Sequence, residues 1–180
     1  MIYGHVHQDF FTLIKGHNGR VVNIAYVCPS LSTYTYKNPA FRVFEVEQET
    51  FSLVDYVQYS MNITESNKRK EAIWNVSYKF SSYFNVPDLS ITSHEELIRK
   101  MKTDREIWKK ALFVKYQEGE KWKDYFNDEE NGKKAMCDYE SSTIGEKAEC
   151  LNVTSDFITN CFTYGFKPLY CKPWEHKVMN

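Results

Sequence analysis

The stretch FFTLIKGHNGRVVNIAYVC, residues 10–28, decides the fold of the first part of the chain. Two runs rich in apolar and β-branched residues, 10–15 and 20–28, flank the tight-turn pair Asn18-Gly19 and predict a β-hairpin. A third strand is predicted over 41–47, where apolar and polar residues alternate as in a strand with one solvent-exposed face. Residues 52–60 are a fourth candidate strand.

After about residue 62 the periodicity changes from that of strands to that of helices. Apolar residues between 73 and 84 recur at helical spacing, and Pro87 ends that segment. The sequence SHEE at 93–96 has the form of a capping box and predicts the start of a second helix. Asp104 is suited to cap a third helix, which closes near Gly119.

The rest of the chain carries weaker signals. Residues 118–134 are charge-rich and are interpreted as a solvated connection, and Ser155 is expected to begin a last short helix. Strands come first and helices later, which predicts an α+β fold and argues against an alternating parallel sheet.

The composition excludes several classes of protein. The chain has 180 residues, and its 23 Lys and Arg against 24 Asp and Glu give a net charge of −1. That balance offers no attraction to a nucleic-acid polymer. A hydrophobic share of 42% is enough for a packed core and excludes a disordered chain. No apolar run approaches 18 residues, so a transmembrane helix is excluded.

Cysteines and glycosylation sequons point to a secretory protein. Cys137, Cys150, Cys161 and Cys171 lie close together and predict two disulfides. The competing interpretation, a zinc clip, lacks the usual C-x₂-C spacing. The cysteine spacing leaves three pairings open. Sequons for N-glycosylation occur at Asn62, Asn75 and Asn152. Residues 1–15 show no signal peptide, so we expect that an N-terminal part is missing and that the chain begins inside a domain.

The motif Gly4-His5-Val6-His7 is the clearest chemical signal. In an extended segment, residues i and i+2 point to the same side, so both imidazoles would face one point and could bind zinc or a similar metal. The alternative is a pair of unrelated surface histidines. Of the remaining histidines, His17 is interpreted as a turn residue, His94 as a residue near a helix N-terminus, and His176 as a tail residue.

The context of this motif resembles a known family. GHVHQDFF at 4–11, PSLSTY at 29–34 and NPAFRV at 38–43 are similar to the end of the catalytic domain in acid sphingomyelinases and acid-sphingomyelinase-like phosphodiesterases. These enzymes belong to the calcineurin-like metallophosphoesterase superfamily. The resemblance extends over about residues 1–118 and is weaker in the helical part.

The resemblance implies a fold and an activity. Residues 1–62 would be the last strands of an α/β/β/α metallophosphoesterase sandwich, and residues 63–180 a helical C-terminal region with disulfides. The whole enzyme would be a secreted or lysosomal glycoprotein and a hydrolase dependent on two zinc ions. It would cleave sphingomyelin to ceramide and phosphocholine, or a related phosphodiester.

The resemblance also implies roles for individual residues. His5 would bind one zinc ion and His7 the other, while Tyr34 and Asn38 would line the substrate cleft. Asp9 would stand behind the ligands, for example by orienting an imidazole, unless it is an ordinary carboxylate at the start of a strand. Tyr34 has a comparable alternative as a tyrosine packed in its loop.

For the cysteines, the resemblance favours the sequential pairs Cys137–Cys150 and Cys161–Cys171 over the other two pairings.

Two imidazoles are too few for two zinc ions, since a dinuclear centre needs roughly seven ligands. Whether the chain is an enzyme therefore stays open, and we expect it to be inactive by itself. It would be either a C-terminal fragment of the hydrolase or a non-catalytic secreted module derived from it. A third interpretation is an unrelated secreted α+β domain. An exposed apolar sheet face and poor solubility are also expected.

Overall fold

The computed structural model describes residues 1–34, 36–119 and 129–153. This part of the chain is an α+β fold with two three-stranded sheets and six helices. The strands are β1 Ile2–Tyr3, β2 Phe10–Lys15, β3 Val21–Val27, β4 Ala40–Val46, β5 Leu53–Met61 and β6 Trp74–Lys79. The helices are α1 Ile63–Arg69, α2 Phe80–Phe84, α3 Ile91–Thr103, α4 Arg105–Lys115, α5 Glu129–Glu140 and α6 Ile144–Leu151.

The predicted hairpin is confirmed. Strands β2 and β3 pair antiparallel from Phe10 opposite Val27 to Lys15 opposite Val21. Gly19 closes the turn with a φ of 76°, a value that glycine adopts without steric cost. The short strand β1 pairs in parallel with the other edge of β3, so the first sheet has the order β1-β3-β2.

The second sheet corrects one sequence prediction. Residues 74–79, which were expected to be helical, form strand β6 and pair antiparallel with β5. Only the next five residues, Phe80–Phe84, are helical. Strand β6 lies beyond residue 62 and completes the β4-β5-β6 sheet, so the region after residue 62 is not purely helical. The proposed domain boundary at 62/63 stays a prediction.

Strand β4 does not follow the usual rule that polar side chains face the solvent and apolar side chains face the core. The Arg42 side chain points inward and is only 1% exposed, whereas Phe41 and Val43 are exposed. Phe41 stacks on Tyr59 and meets the edge of Trp74 on this outer surface. The expected apolar sheet face is therefore present.

The core lies between the inner faces of the sheets and the helices. Phe11 and Tyr26 from the first sheet meet a group of aromatic side chains from the second sheet and from α2 to α5. Edge-on ring contacts predominate, which is a favourable arrangement for aromatic pairs. The fully buried members with the largest side chains include Tyr139, Phe80, Leu97, Leu112 and His94.

Two helix starts were predicted from capping residues, and one of them was misplaced. Asp104 caps α4 as expected, because its side chain accepts hydrogen bonds from the backbone of Glu106 and Ile107. Helix α3 begins one turn earlier than predicted: its N-cap is Ser90, and the Ser93 hydroxyl donates to Asp88. Ser90 thus caps the helix in place of the predicted SHEE box at 93–96.

Helices α5 and α6 are held together by the disulfide Cys137–Cys150, which confirms one of the predicted pairs. Cys161 and Cys171 lie outside the described residues, as does the predicted helix at Ser155. Helix α5 begins at residue 129, so the end of the predicted solvated connection is helical. No described helix is both long and apolar enough to cross a membrane.

Candidate functional site

The histidine segment, residues 4–8, is anchored at both ends. On its N-terminal side, β1 pairs with β3, and the backbone N–H of Cys28 donates to the Tyr3 carbonyl at 2.8 Å. On its C-terminal side, the backbone N–H of Asp9 donates to the Lys115 carbonyl at 3.0 Å. The segment is therefore a short bridge between the first sheet and the end of α4.

The backbone of this segment is not the extended strand that the sequence predicted. His5 has a φ of 74° and His7 a φ of 54°, both in the left-handed region. The Val6 N–H donates to the Gly4 carbonyl at 3.0 Å, which closes a three-residue γ-turn around His5. The argument that residues i and i+2 share one face of a strand does not apply here.

His7 is the better placed of the two predicted ligands. Its side chain is half-buried, and its Nδ1 atom is buried with no hydrogen-bond partner in the described part of the chain. The ring lies edge-on to Tyr34, with centroids 6.2 Å apart. Tyr34 itself is 51% exposed, so the two rings meet at the protein surface. The structure thus brings together one predicted ligand and one predicted cleft residue.

A zinc centre is only partly provided. The buried Nδ1 of His7, which has no hydrogen-bond partner among the described residues, is a suitable donor atom, and His5 is exposed two residues away. Within residues 1–34, 36–119 and 129–153, no three His, Cys, Asp or Glu side chains are grouped so that they could hold a metal. The side chains present fit a contribution to a zinc site and do not complete one.

Lys37 links the histidine segment to the Tyr34 loop, which we define as residues 29–34 and 36–39. Its ammonium group donates to the His7 carbonyl at 2.5 Å, and the residue is 4% exposed. Burial, together with the nearby Lys115 cation, lowers the pKa of Lys37 to about 8. Sequence reasoning did not single out this lysine.

Asn38 fixes the other side of the Tyr34 loop. Its side-chain amide donates to the Glu118 carbonyl at 3.2 Å, and its side-chain oxygen accepts from the Ile63 N–H at 3.2 Å. The half-buried amide thus contacts the first residue of α1 and the turn that follows α4. Its predicted place in the substrate cleft stays a prediction.

Asp9 lies in a buried polar cluster behind the histidine segment. Its carboxylate forms an ion pair with Arg42 and accepts a hydrogen bond from the Tyr78 hydroxyl at 2.5 Å. The Arg42 guanidinium also lies 3.8 Å from the centre of the Tyr56 ring. Burial raises the pKa of the Asp9 carboxyl, while the Arg42 cation opposes that shift. These contacts join the residue before β2 to strands β4 and β6, so Asp9 stabilises the packing of the first sheet against the second. Its predicted role of orienting an imidazole stays a prediction.

The other described histidines lie away from this site. His17 is exposed in the hairpin turn, as predicted. His94 lies in the first turns of α3, as predicted, and is fully buried, with Nδ1 2.9 Å from the Ser90 carbonyl and Nε2 3.3 Å from the Tyr26 hydroxyl. Burial lowers the pKa of His94 to about 4. Tail residue His176 lies outside the described residues.

The sequons differ in their surroundings. Asn62 is exposed and caps α1, because its side-chain oxygen accepts from the Glu65 N–H. Asn75 is exposed on β6, which is an edge strand of its sheet. Asn152 is exposed at the C-cap of α6 in the left-handed conformation. All three asparagines therefore lie at the surface, where glycosylation requires them.

Comparison with known proteins assigns the chain to a family. Residues 18–144, more than half of the chain, match the family described as "Acid sphingomyelin phosphodiesterase C-terminal region". The match begins after the histidine segment and after β2; it covers β3, the second sheet and helices α1 to α5, and it ends at the first residue of α6.

Individual relatives agree with this match. The chain is similar to sphingomyelin phosphodiesterase A of Dictyostelium discoideum, with 32% identity over 57% of the chain and 18% of that relative. It is also similar to sphingomyelin phosphodiesterase 2 of Caenorhabditis elegans, with 32% identity over 65% of the chain and 20% of the relative.

A third relative carries a different name. The mouse cyclic GMP-AMP phosphodiesterase SMPDL3A is 30% identical over 56% of the chain and 24% of the relative. The chain thus matches about a fifth to a quarter of the length of these curated relatives. On the family match, the chain belongs to the acid sphingomyelin phosphodiesterase family, through the C-terminal region of that family.

Proposed function

We propose that this chain contributes one wall of a zinc-dependent phosphodiesterase site and does not hydrolyse phosphodiesters by itself. The observation that carries the proposal is the His7 imidazole, which presents a buried, unpartnered Nδ1 atom beside the exposed Tyr34 ring. Buried polar atoms in proteins are nearly always hydrogen-bonded, so such an atom calls for a ligand. In a chain of this family, a metal ion is the ligand that suits imidazole nitrogen.

The number of ligands supports the second half of the proposal. A catalytic zinc ion is normally held by three protein ligands and leaves one position for water or substrate. His5 and His7 supply at most two donors, and the described residues contain no group of three. The remaining ligands must therefore come from outside the described part of this chain.

The chain's own residues would bind and position the substrate. Tyr34 is 51% exposed and its ring lies edge-on to that of the proposed ligand His7, a position suited to contact with the groups that flank a phosphodiester. Lys37 holds the Tyr34 loop to the histidine segment, and Asn38 holds it to α1 and to the turn after α4. Zinc, when bound, would supply Lewis-acid polarisation of a phosphoryl oxygen and activation of water.

The names of the relatives support a proposal about the substrate class. Sphingomyelin phosphodiesterases and a cyclic GMP-AMP phosphodiesterase both cleave phosphodiesters. We propose a phosphodiester substrate, with sphingomyelin cleaved to ceramide and phosphocholine as the first candidate and a nucleotide-type diester as the second.

The setting of the whole protein is proposed on separate grounds. A disulfide between Cys137 and Cys150 and three surface sequons suit a secreted or lysosomal glycoprotein. The two sheets would be the last strands of a metallophosphoesterase sandwich. The exposed face of β4-β5-β6, which includes Phe41, Val43 and Trp74, and the free edge of β1 support that placement.

The test is turnover of a chromogenic phosphodiester by the pure 180-residue chain, with and without added zinc. We expect no zinc-dependent turnover from the wild type or from a His7→Ala variant. Turnover that requires zinc and is lost in His7→Ala would contradict the proposed inactivity of the chain. Zinc binding itself is measured separately, from the side-chain resonances of His5 and His7. If added zinc changes neither resonance, the metal assignment is wrong and a non-catalytic secreted module becomes the better interpretation.

A further inference from the structure

Lys37 is a buried cation in an unusual position. It is 4% exposed, and its ammonium group donates to the His7 carbonyl. The same group lies 5.9 Å from the centre of the Tyr116 ring. The lysine therefore reaches across from the Tyr34 loop to the backbone of the histidine segment.

The charge balance around Lys37 is unfavourable for stability. Among the described residues, no carboxylate lies within ion-pair distance of its ammonium group, and the nearby charged group is another cation, Lys115. Burying a cation without a counter-ion costs free energy that a methionine of similar length would avoid. Methionine would lose two interactions, the hydrogen bond to the His7 carbonyl and the contact with the Tyr116 ring, and the first of them reaches the histidine segment.

The backbone that Lys37 contacts is strained. A left-handed conformation is unfavourable for a non-glycine residue because the Cβ atom crowds the following carbonyl oxygen, and the histidine segment contains two such residues, His5 and His7. Such conformations persist only where surrounding contacts hold them, and they cluster at functional sites. The anchors at Tyr3 and Asp9 hold the ends of the segment, whereas Lys37 holds its middle, at His7.

We infer that Lys37 is a positioning residue for His7: its ammonium group holds the His7 carbonyl, fixes the left-handed backbone there, and keeps the imidazole beside Tyr34. This inference rests on the proposed function, because it gives the buried cation a role in presenting a metal ligand. Contacts that orient ligands typically change metal affinity by about 10–100-fold when they are removed.

The neighbouring residue Asn38 provides a contrast. Its amide binds Glu118 and Ile63, and neither contact reaches the histidine segment. Asn38 therefore secures the loop to α1 and to the turn after α4, and Lys37 secures the histidine segment to the loop. A purely structural lysine would affect the stability of the fold and leave the orientation of the His7 ring unchanged.

The experiment compares Lys37→Met and Lys37→Arg with Lys115→Met in the full 180-residue chain. Lys115 is a matched control because it is also a fully buried lysine, with its ammonium group on Asp138 rather than on His7. The first readout needs no metal: the nuclear Overhauser effect between the rings of His7 and Tyr34. The second is the zinc affinity measured from the side-chain resonances of His5 and His7. Thermal midpoints are recorded for each variant.

In Lys37→Met we expect the ring-to-ring signal to disappear and the zinc affinity to fall at least about ten-fold, with the thermal midpoint unchanged or higher. Lys37→Arg should restore part of the signal, and Lys115→Met should keep it. A His7–Tyr34 signal that persists in Lys37→Met, or is missing from the wild type, would overturn the inference. If the signal behaves as expected but wild-type zinc binding is absent, the proposed metal site fails while the positioning contact stands.

Discussion

Replacement of Arg42 by methionine is predicted to destabilise the protein strongly. The Arg42 and Asp9 side chains are 1% and 2% exposed, so removing the arginine leaves a buried carboxylate with Tyr78 as its remaining donor among the described residues. Removing one partner of a buried pair costs about 3–5 kcal/mol. The guanidinium also lies over the Tyr56 ring, a contact worth about 2 kcal/mol when it is desolvated.

We take about 4 kcal/mol as the expected loss, because the methionine side chain recovers some of the packing. With a urea m-value of about 2 kcal/mol/M, the midpoint of unfolding should fall by about 2 M. The assay is urea denaturation at pH 7 followed by circular dichroism. The m-value must stay constant, so that the shift reports stability alone.

The matched control is Arg69→Met, which removes another arginine–carboxylate pair. Arg69 and Glu65 are 62% and 42% exposed, so solvent screens their attraction and no measurable shift is expected. The double variant Asp9→Asn with Arg42→Met should be more stable than Arg42→Met alone, because it contains no unpaired buried charge. A loss below about 1 kcal/mol for Arg42→Met would refute the view that this pair anchors the fold.

Three further predictions concern other parts of the protein. His94 has a pKa of about 4 in the fold against about 6.5 when unfolded, so the unfolded chain binds more protons between these values. Stability should fall by about 3 kcal/mol as the pH is lowered from 6.5 to 4, and His94→Phe should flatten this dependence in urea titrations at several pH values. Replacing Cys137 and Cys150 by alanine opens a 13-residue crosslink and should cost about 3 kcal/mol in the same assay, whereas an unchanged midpoint would mean the bond contributes nothing. In secretory cells, Thr64→Ala should remove one glycan that a glycosidase releases from the wild type while leaving the helix cap of Asn62 intact, and an unaltered mass would show that this sequon is not used.

The hairpin could be predicted because its signals are local. Asn18-Gly19 fixes the turn, and the flanking strands are the nearest partners available to each other. Asp104 could be identified as a helix cap for the same reason, since its hydrogen bonds reach two and three residues along the chain.

Strand β6 could not be predicted from local signals. The apolar residues of 73–84 fit a helical period, but Trp74 and Val76 pair with Met61 and Tyr59 across the sheet. Such pairing depends on a strand more than ten residues away, and it overrides local propensity. The inward direction of Arg42 was hidden for a similar reason, because it follows from the distant partner Asp9.

For the candidate site, the sequence identified His7 and Tyr34, and the structure places their rings next to each other. The sequence could not reveal the left-handed backbone at His5 and His7, which tertiary contacts impose. Lys37 was also missed, since a lysine in a polar loop gives no sign in the sequence that it will be buried.

The most direct measurement of the central claim is a zinc titration of the 180-residue chain, followed through the side-chain resonances of its histidines. His17, exposed in the hairpin turn, serves as the internal control. The account predicts that the His7 signal shifts at zinc concentrations that leave His17 unchanged. A response of His17 equal to that of His7, or no response at His7, would contradict the assignment of a metal ligand to this segment.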